Sequence, residues 1–289
     1  MSVRLSAPLN LHWSRSKPNF GDALAPLIVA AIAGRSVRWA PIGRADLMAV
    51  GSLLGRLGEH WWQRRVHVWG SGYLEPSPVP ADSRSTRHVI HAVRGPVSAA
   101  ALGLLPAAIV QGDPGLLADR LMGDRALQDW LLAQGLINAR PRPAQRCSVL
   151  VIPHYRDRDH PLLPALVGLR HVEIADVFTP PLDLLARIQA ADWVLSSAMH
   201  GLIAADALGV PNTWVTLGDS LRGGQFKFRD YYGALRLAPD PQPLTVSLAA
   251  DPGAAFAGRA QSVATRPSWA PATIDPIRHA LVQAFPHAL

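Results

Sequence analysis

Short apolar runs that close on glycine turns and lead straight into helical patterns recur along this chain, and that order admits few folds. Residues 46–51 end at Gly51-Ser52, and residues 65–70 at Gly70-Ser71-Gly72. Residues 88–93 end at Arg94-Gly95-Pro96, and 108–112 at Gly112-Asp113-Pro114-Gly115. Antiparallel strands are joined by tight two-residue turns, whereas parallel strands need a crossover long enough to hold a helix. The pattern therefore predicts an α/β chain with parallel sheets. A first strand is expected over 3–12. A helix follows over 22–34, with Pro26 in its first turn and Gly34 as its stop. Another helix covers 96–104.

Residues 138–147 (NARPRPAQRC) are rich in proline and arginine, lack periodicity, and read as a linker. Beyond them the alternation restarts, with strands over 148–152, 171–174, 193–196 and 213–217 and helices over 181–190, 200–208 and 273–284. The expected architecture is two Rossmann-like domains, 1–140 and 148–270, facing a cleft, with a C-terminal helix in 271–289 free to cross back. No internal repeat stands out. Doubly wound sheets bind ligands at the carboxyl ends of their strands, so chemistry is expected in the loops that follow strands.

Hydrophobic residues make up 49 % of the 289 residues and charged residues 17 %, the reverse of a disordered chain. Lys and Arg number 28 against 21 Asp and Glu, a net charge of +7 that favours anionic partners. Cys147 is the single cysteine, which rules out an intramolecular disulfide and a cysteine-built zinc site and fits a reducing compartment. The N-terminus lacks a signal-peptide apolar stretch, and the longest apolar runs, 24–33 and 99–110, fall short of the roughly 20 residues of a membrane helix. A cytoplasmic protein is expected, with loose attachment to an anionic bilayer permitted by its charge. The chain has no phosphate loop, dinucleotide fingerprint, HExxH, nucleophile elbow or recognised nucleic-acid module, and no His/Asp/Glu cluster at metal-ligand spacing. No metal, cofactor or nucleic acid is expected.

The sharpest candidate is Ser196-Ser197-Ala198-Met199-His200-Gly201, between an apolar run and a helical one. Serines there leave helix amides open to an anion, and His200 stands at the helix N-terminus as a proton or hydrogen-bond donor. Asn19 and Asp22, in Lys17-Pro18-Asn19-Phe20-Gly21-Asp22, are capping residue types, and an Asp in a cleft can also serve as a general base. Arg94 closes a strand and suits a bidentate grip on phosphate or carboxylate; a salt bridge to an acid is its other reading. Ile152-Pro153-His154-Tyr155-Arg156 repeats the logic of His200, a strand end followed by a histidine and a cation. The basic aromatic run 223–232, opened by Gly223-Gly224, reads as a lid or acceptor-binding loop.

Together these motifs resemble the polysaccharide pyruvyl transferase family. Asn19-Phe20-Gly21-Asp22, Arg94-Gly95-Pro96, Gly112-Asp113-Pro114, Ile152-Pro153-His154-Tyr155, Met199-His200-Gly201 and Lys227-Phe228-Arg229-Asp230-Tyr231 occur in the family's order between about residues 19 and 232. Within it the chain is most similar to bacterial exopolysaccharide ketal pyruvate transferases. The resemblance implies a GT-B-like fold, phosphoenolpyruvate as donor, and a lipid-linked oligosaccharide acceptor at the inner face of the cytoplasmic membrane. The product would be a pyruvate ketal bridging two hydroxyls of a terminal sugar. On this resemblance His200 is expected as general acid and Asp22 as general base; the roles of His200 and His154 are exchangeable at this stage. Arg94, His154, Ser197, Lys227 and Arg229 would hold the donor, and Asn19, Asp113, Asp230 and Tyr231 the acceptor. Many members carry an arginine where this chain has Ala198, so another cation must meet the donor phosphate. Two other readings fit the same fold signals: a GT-B glycosyltransferase using a nucleotide-sugar, and a non-catalytic sugar- or anion-binding protein.

Overall fold

All strand pairing among the described residues is parallel. The computed structural model describes residues 7–17, 19–58, 61–62, 64–76, 86–167, 172–217, 223–236, 243–245 and 271–289. The strand expected before residue 7, residue 171, and 246–270 of the second expected domain lie outside the described residues.

Six strands form the first sheet: β1 (Leu9–His12), β2 (Val37–Trp39), β3 (Leu47–Ala49), β4 (His67–Ser71), β5 (Val89–Val93) and β6 (Val110–Gln111), ordered β2-β1-β3-β4-β5-β6. The second sheet contains β7 (Cys147–Ile152), β8 (Val172–Ile174), β9 (Ala191–Ser196), β10 (Asn212–Thr216) and β11 (Leu244–Thr245), ordered β11-β10-β9-β7-β8. Both sheets share one plan. The first strand of each has its successor on one side and the later strands on the other. The order therefore reverses at β1/β3 and again at β7/β9, which is where a doubly wound sheet opens its ligand crevice. The sequence carries no visible repeat for this duplication, because the shared feature is strand order and not residue identity.

The helices are α1 (Phe20–Ala33), α2 (Pro96–Ala101), α3 (Arg120–Gly123), α4 (Arg125–Ala133), α5 (Leu162–Val167), α6 (Pro181–Ala190), α7 (Met199–Leu208), α8 (Phe226–Leu235) and α9 (Pro271–Gln283). Helix α1 is apolar around nearly its whole circumference, and such a helix must be covered on all sides. It packs against α3 and α4 of the first half and α6 and α7 of the second, so one apolar cluster runs through both halves. Asn19 starts α1 by accepting from the Gly21 and Asp22 amides, and Gly34, left-handed at φ 61°, ends it. Because the helix begins at Phe20, Pro26 lies in its second turn and not its first. Its missing N–H leaves the Asp22 carbonyl without its i+4 donor.

Helix α9 packs against β6 and α8. Trp69 Nε1 donates to the Leu281 carbonyl at 2.8 Å, and Arg278 donates to the carbonyls of Leu116 and Ala207, one from each half. The run 223–232, expected as a lid or loop, is instead the start of α8. Phe228, Tyr231 and Tyr232 are buried there with Trp214, Leu202 and Ile203. The glycine pair precedes the helix, and the aromatic spacing that reads as a loop covers a core face.

Candidate active site

The carboxyl ends of the four strands that flank the two reversal points open onto one cavity of about 370 Å3, within the range of small-molecule sites. Ser14, Ser16, Lys17, Asn19, Gly21 and Asp22 line it after β1, and Gly51, Ser52, Leu53 and Arg56 after β3. His154, Tyr155 and Arg156 line it after β7, Met199 and His200 after β9, and Lys227 from α8. Cations dominate: Lys17, Arg56, Arg156 and Lys227 line it with Asp22, the one carboxylate among the described lining residues.

Asn19 and Asp22 meet at the cavity. Asn19 Nδ2 donates to Asp22 Oδ2 at 2.8 Å, while Asn19 Oδ1 caps the helix. Burial pushes the Asp22 carboxyl above the usual carboxylate range, and the His200 charge and hydrogen bonds from Ser14 and Asn19 pull it back. Across from it, the turn after β3 holds Val50 at φ 58°, a conformation that costs a β-branched residue about 1–3 kcal/mol. That tight turn aims Ser52 and Leu53 at the cavity.

His200 is the second residue of α7 and lies between two glycines. A Cβ on Gly21 would stand 2.0 Å from His200 Nδ1, and one on Gly115 would stand 3.8 Å from its Cδ2. On the buried side, His200 Nε2 faces Asp113 Oδ2 at 3.7 Å. Asp113 was expected to bind acceptor; it is 0 % exposed, absent from the cavity wall, and backs His200 instead. Its other oxygen accepts the Gly115 amide at 2.8 Å.

His154 and Lys227 also line the cavity. Burial, with Lys227 and Arg156 beside it, pushes the His154 imidazole down to about 4, so it is uncharged at neutral pH. Its backbone amide donates to Ser197 Oγ at 2.9 Å. Burial and the charge of Arg94 bring Lys227 down to about 8, against the pull of Asp157 and Asp22. Ser197, expected to hold donor, is buried and donates to Asp157 at 2.6 Å; it ties the β7 and β9 loops together behind the wall.

Four further expectations are corrected. Arg94 does not reach the cavity; it is 0 % exposed, with Nε donating to Asp230 at 3.0 Å, Nη1 to Ser52 Oγ at 2.7 Å and Nη2 to the Tyr73 carbonyl. Its salt-bridge reading holds, and it acts on the cleft only through Ser52 and as a charge behind Lys227. Asp230 is buried in the same pair and also accepts from the Ser98 amide and hydroxyl, so it meets no acceptor. Tyr231 is buried, and its hydroxyl donates to Asp206 at 2.5 Å. Burial raises Asp206 to about 7 and Tyr231 well above its ordinary value. Arg229 is exposed and donates to Gln225. The physical reason lies in the helix: α8 packs Asp230 and Tyr231 inward, leaves Arg229 to solvent, and turns only Lys227 toward the cavity.

Arg56 is a cavity cation that sequence reasoning did not single out, while Lys17 and Arg156 stand in two of the candidate motifs without a role of their own. Each follows a strand end within a few residues, the signal that could have found them. Lys17 stands over the Tyr155 ring at 5.1 Å, joining the β1 and β7 loops.

With this geometry, comparison with known proteins is informative. The succinoglycan biosynthesis protein ExoV of Rhizobium meliloti is 29 % identical over 245 residues, 83 % of this chain and 69 % of that protein. An uncharacterised protein of Acanthamoeba polyphaga mimivirus is 30 % identical over 136 residues, 46 % of this chain and 42 % of that protein. Among solved structures, an uncharacterised Klebsiella pneumoniae protein covers 84 % of this chain and 94 % of its own at 10 % identity. The wall teichoic acid polymerase TagF covers 87 % and 70 % at 12 %. Both superpose with a TM-score of 0.38, too low to define the architecture. The polysaccharide pyruvyl transferase pattern matches residues 62–219, a span that includes Arg94, Asp113, His154, Ser197 and His200. Since that span is 158 of the 289 residues, the chain belongs to the polysaccharide pyruvyl transferase family and is a transferase.

Proposed function

We propose that the protein transfers the pyruvyl unit of phosphoenolpyruvate to two hydroxyls of a terminal sugar on a lipid-linked exopolysaccharide repeat, forming a ketal and releasing phosphate. The observation that carries this reading is the cavity itself, with Lys17, Arg56, Arg156 and Lys227 around the Asp22–His200 pair. A small trianion with a carboxylate and a phosphate needs such a cationic wall, and an enol needs a proton donor beside it. The relative named for succinoglycan biosynthesis supports a polysaccharide acceptor.

In this mechanism His200 delivers a proton to the methylene carbon of the donor, leaving an oxocarbenium-like C2. Asp22 takes the proton of the first sugar hydroxyl as its oxygen bonds to C2. The second hydroxyl then bonds to C2 as the C2–O bond to phosphate breaks. One hydroxyl proton replaces that spent on carbon and the other leaves with phosphate, so the step balances. His154, uncharged at neutral pH, is the weaker candidate for the acid and suits a hydrogen bond to the donor. Arg56, Arg156 and Lys17 take the place first given to Arg94, and with Lys227 they supply the charge missing at Ala198.

The two sheets, in this reading, belong to units 1–140 and 148–270 that face each other across the cleft in GT-B fashion, with 271–289 returning to the first. The proposed contact with the cytoplasmic membrane face has its own support. Trp61 and Trp62 are 84 % and 65 % exposed, packed edge to face, and followed by the exposed Arg64 and Arg65. Aromatic rings beside arginines suit the headgroup region of an anionic bilayer. Among the described residues no helix is long and apolar enough to cross a membrane.

The test is mass spectrometry of an acceptor glycan incubated with protein and phosphoenolpyruvate. Ketal formation adds roughly 70 mass units by the stoichiometry above. An unchanged glycan, with UDP- or GDP-sugars in place of phosphoenolpyruvate raising the melting temperature, would overturn the reading in favour of a nucleotide-sugar transferase.

A further inference from the structure

His200 Nε2 and Asp113 Oδ2 are both buried, both without a hydrogen-bond partner, and 3.7 Å apart. Unpaired buried polar atoms are costly, and two that face each other are most simply read as the halves of one hydrogen bond. We propose that Asp113 is the positioning carboxylate of His200: it accepts the Nε2 hydrogen and so holds the ring with Nδ1 as the atom that exchanges protons in the cleft.

The donor set leaves one assignment. A carboxylate oxygen only accepts, so Nε2 must carry the hydrogen, and in the neutral ring Nδ1 is then bare. A ring turned over would set Cε1 against Asp113 Oδ2 and leave that oxygen without a donor. The Nδ1 edge abuts Gly21, where a Cβ would lie 2.0 Å away, and the Gly115 turn closes the Asp113 side. Asp113 is fixed in turn by the Gly115 amide at 2.8 Å, within the turn Pro114–Leu117 that packs on both α1 and α7. Among the described residues, the carboxylates at the ring are Asp22 on α1 and Asp113 on that turn; Lys17 after β1, Arg56 after β3, His154 and Arg156 after β7 and Lys227 on α8 line the same cavity. Asp22 also acts on the ring through its charge, so carboxylates from two elements meet the imidazole while Nδ1 remains directed at the cavity. Asp113 never touches substrate; it acts through His200.

This inference rests on the reading of His200 as the proton-transferring group, but its first test does not require turnover. Nitrogen-15 NMR of the intact protein, with His200 assigned by comparison with His200→Gln, should show the Nε2–H tautomer at neutral pH. The Nδ1–H tautomer in the wild-type protein would overturn the proposal whatever the enzyme does. Asp113→Asn should lower kcat roughly 100-fold or more, leave the donor KM within about threefold, and move the alkaline limb of the pH–rate profile, where the acid loses its proton, to lower pH. Its His200 signals should shift away from the wild-type tautomer. Asp113→Glu should recover part of kcat. An Asn variant that folds but keeps the wild-type tautomer and pH profile would overturn the proposal. Phosphate release that never depends on acceptor, with the Nε2–H tautomer present, would count against the transferase reading and leave the pairing intact.

Discussion

Replacing Gly21 by Ala tests the site with a single methyl group. An alanine is normally favoured over glycine in a helix interior by about 0.5–1 kcal/mol, so the backbone alone predicts a neutral or stabilising change. The surroundings reverse that. The new Cβ would lie 2.0 Å from His200 Nδ1, 2.4 Å from Cγ and 2.8 Å from Cβ. Because the contact includes the root of the side chain, turning the imidazole about its own bond does not relieve it. Helix α1 has little freedom to withdraw: Asn19 caps it, the Phe20 amide donates to the Val177 carbonyl at 2.6 Å, and the following turns are buried against α6 and α7. His200 therefore retreats, from 2.0 Å to the 3.4 Å where ordinary contact begins, a shift of about 1.4 Å. A misplacement of about 1 Å costs a catalytic group about 100-fold. Phosphate release from phosphoenolpyruvate in the presence of acceptor should fall by at least about that factor, with a melting temperature within a few degrees of the parent. Gly34→Ala is the control: nothing lies within 4 Å of its Cβ, its φ is 61°, and it should lower stability by about 1 kcal/mol while activity stays near normal. Near-normal turnover in a folded Gly21→Ala protein would refute the placement of His200 at the reacting atoms.

Donor binding should take up protons, since a trianion beside His154 and Lys227 raises both from about 4 and about 8. Calorimetry in buffers of different ionisation heat checks this, and affinity should weaken as pH climbs through about 8; proton release would contradict the assignment. In the free protein His154 binds fewer protons between pH 6.5 and 4 than in the unfolded chain, so acidification across that window should destabilise the parent more than His154→Gln, as urea titrations at several pH values would reveal. Arg94→Ala or Asp230→Asn should cost about 3–5 kcal/mol in urea unfolding by stranding a buried charge or its hydrogen bonds, whereas activity lost without any loss of stability would restore Arg94 to the cleft. Trp61→Ser with Trp62→Ser should abolish sedimentation with phosphatidylglycerol vesicles and leave transfer to a soluble acceptor unchanged; sedimentation equal to the parent would remove the docking role.

The legibility of this chain follows the range of the interactions involved. Strand ends, the Asn19 cap and the Gly34 stop are decided by neighbours a few positions away. The alternation that announces a parallel α/β chain, helix α6 over 181–190 and the strand-end positions of His154 and His200 can accordingly be read from the string of residues. The same local reading places Arg94 at a strand's carboxyl end but not the direction of its guanidinium, because its partner Asp230 lies 136 residues away on a helix that reads as a loop. Arg56 carries no signal beyond following a strand, and Asp113 and His200, 3.7 Å apart, belong to different halves of the chain. Sequence alone therefore determined the class of fold and the edge along which chemistry gathers, since both follow from local periodicity and turn residues. Tertiary packing decided which cations face the cavity and which are locked behind it, because a side chain's direction at a strand end depends on the helix that comes to rest beside it.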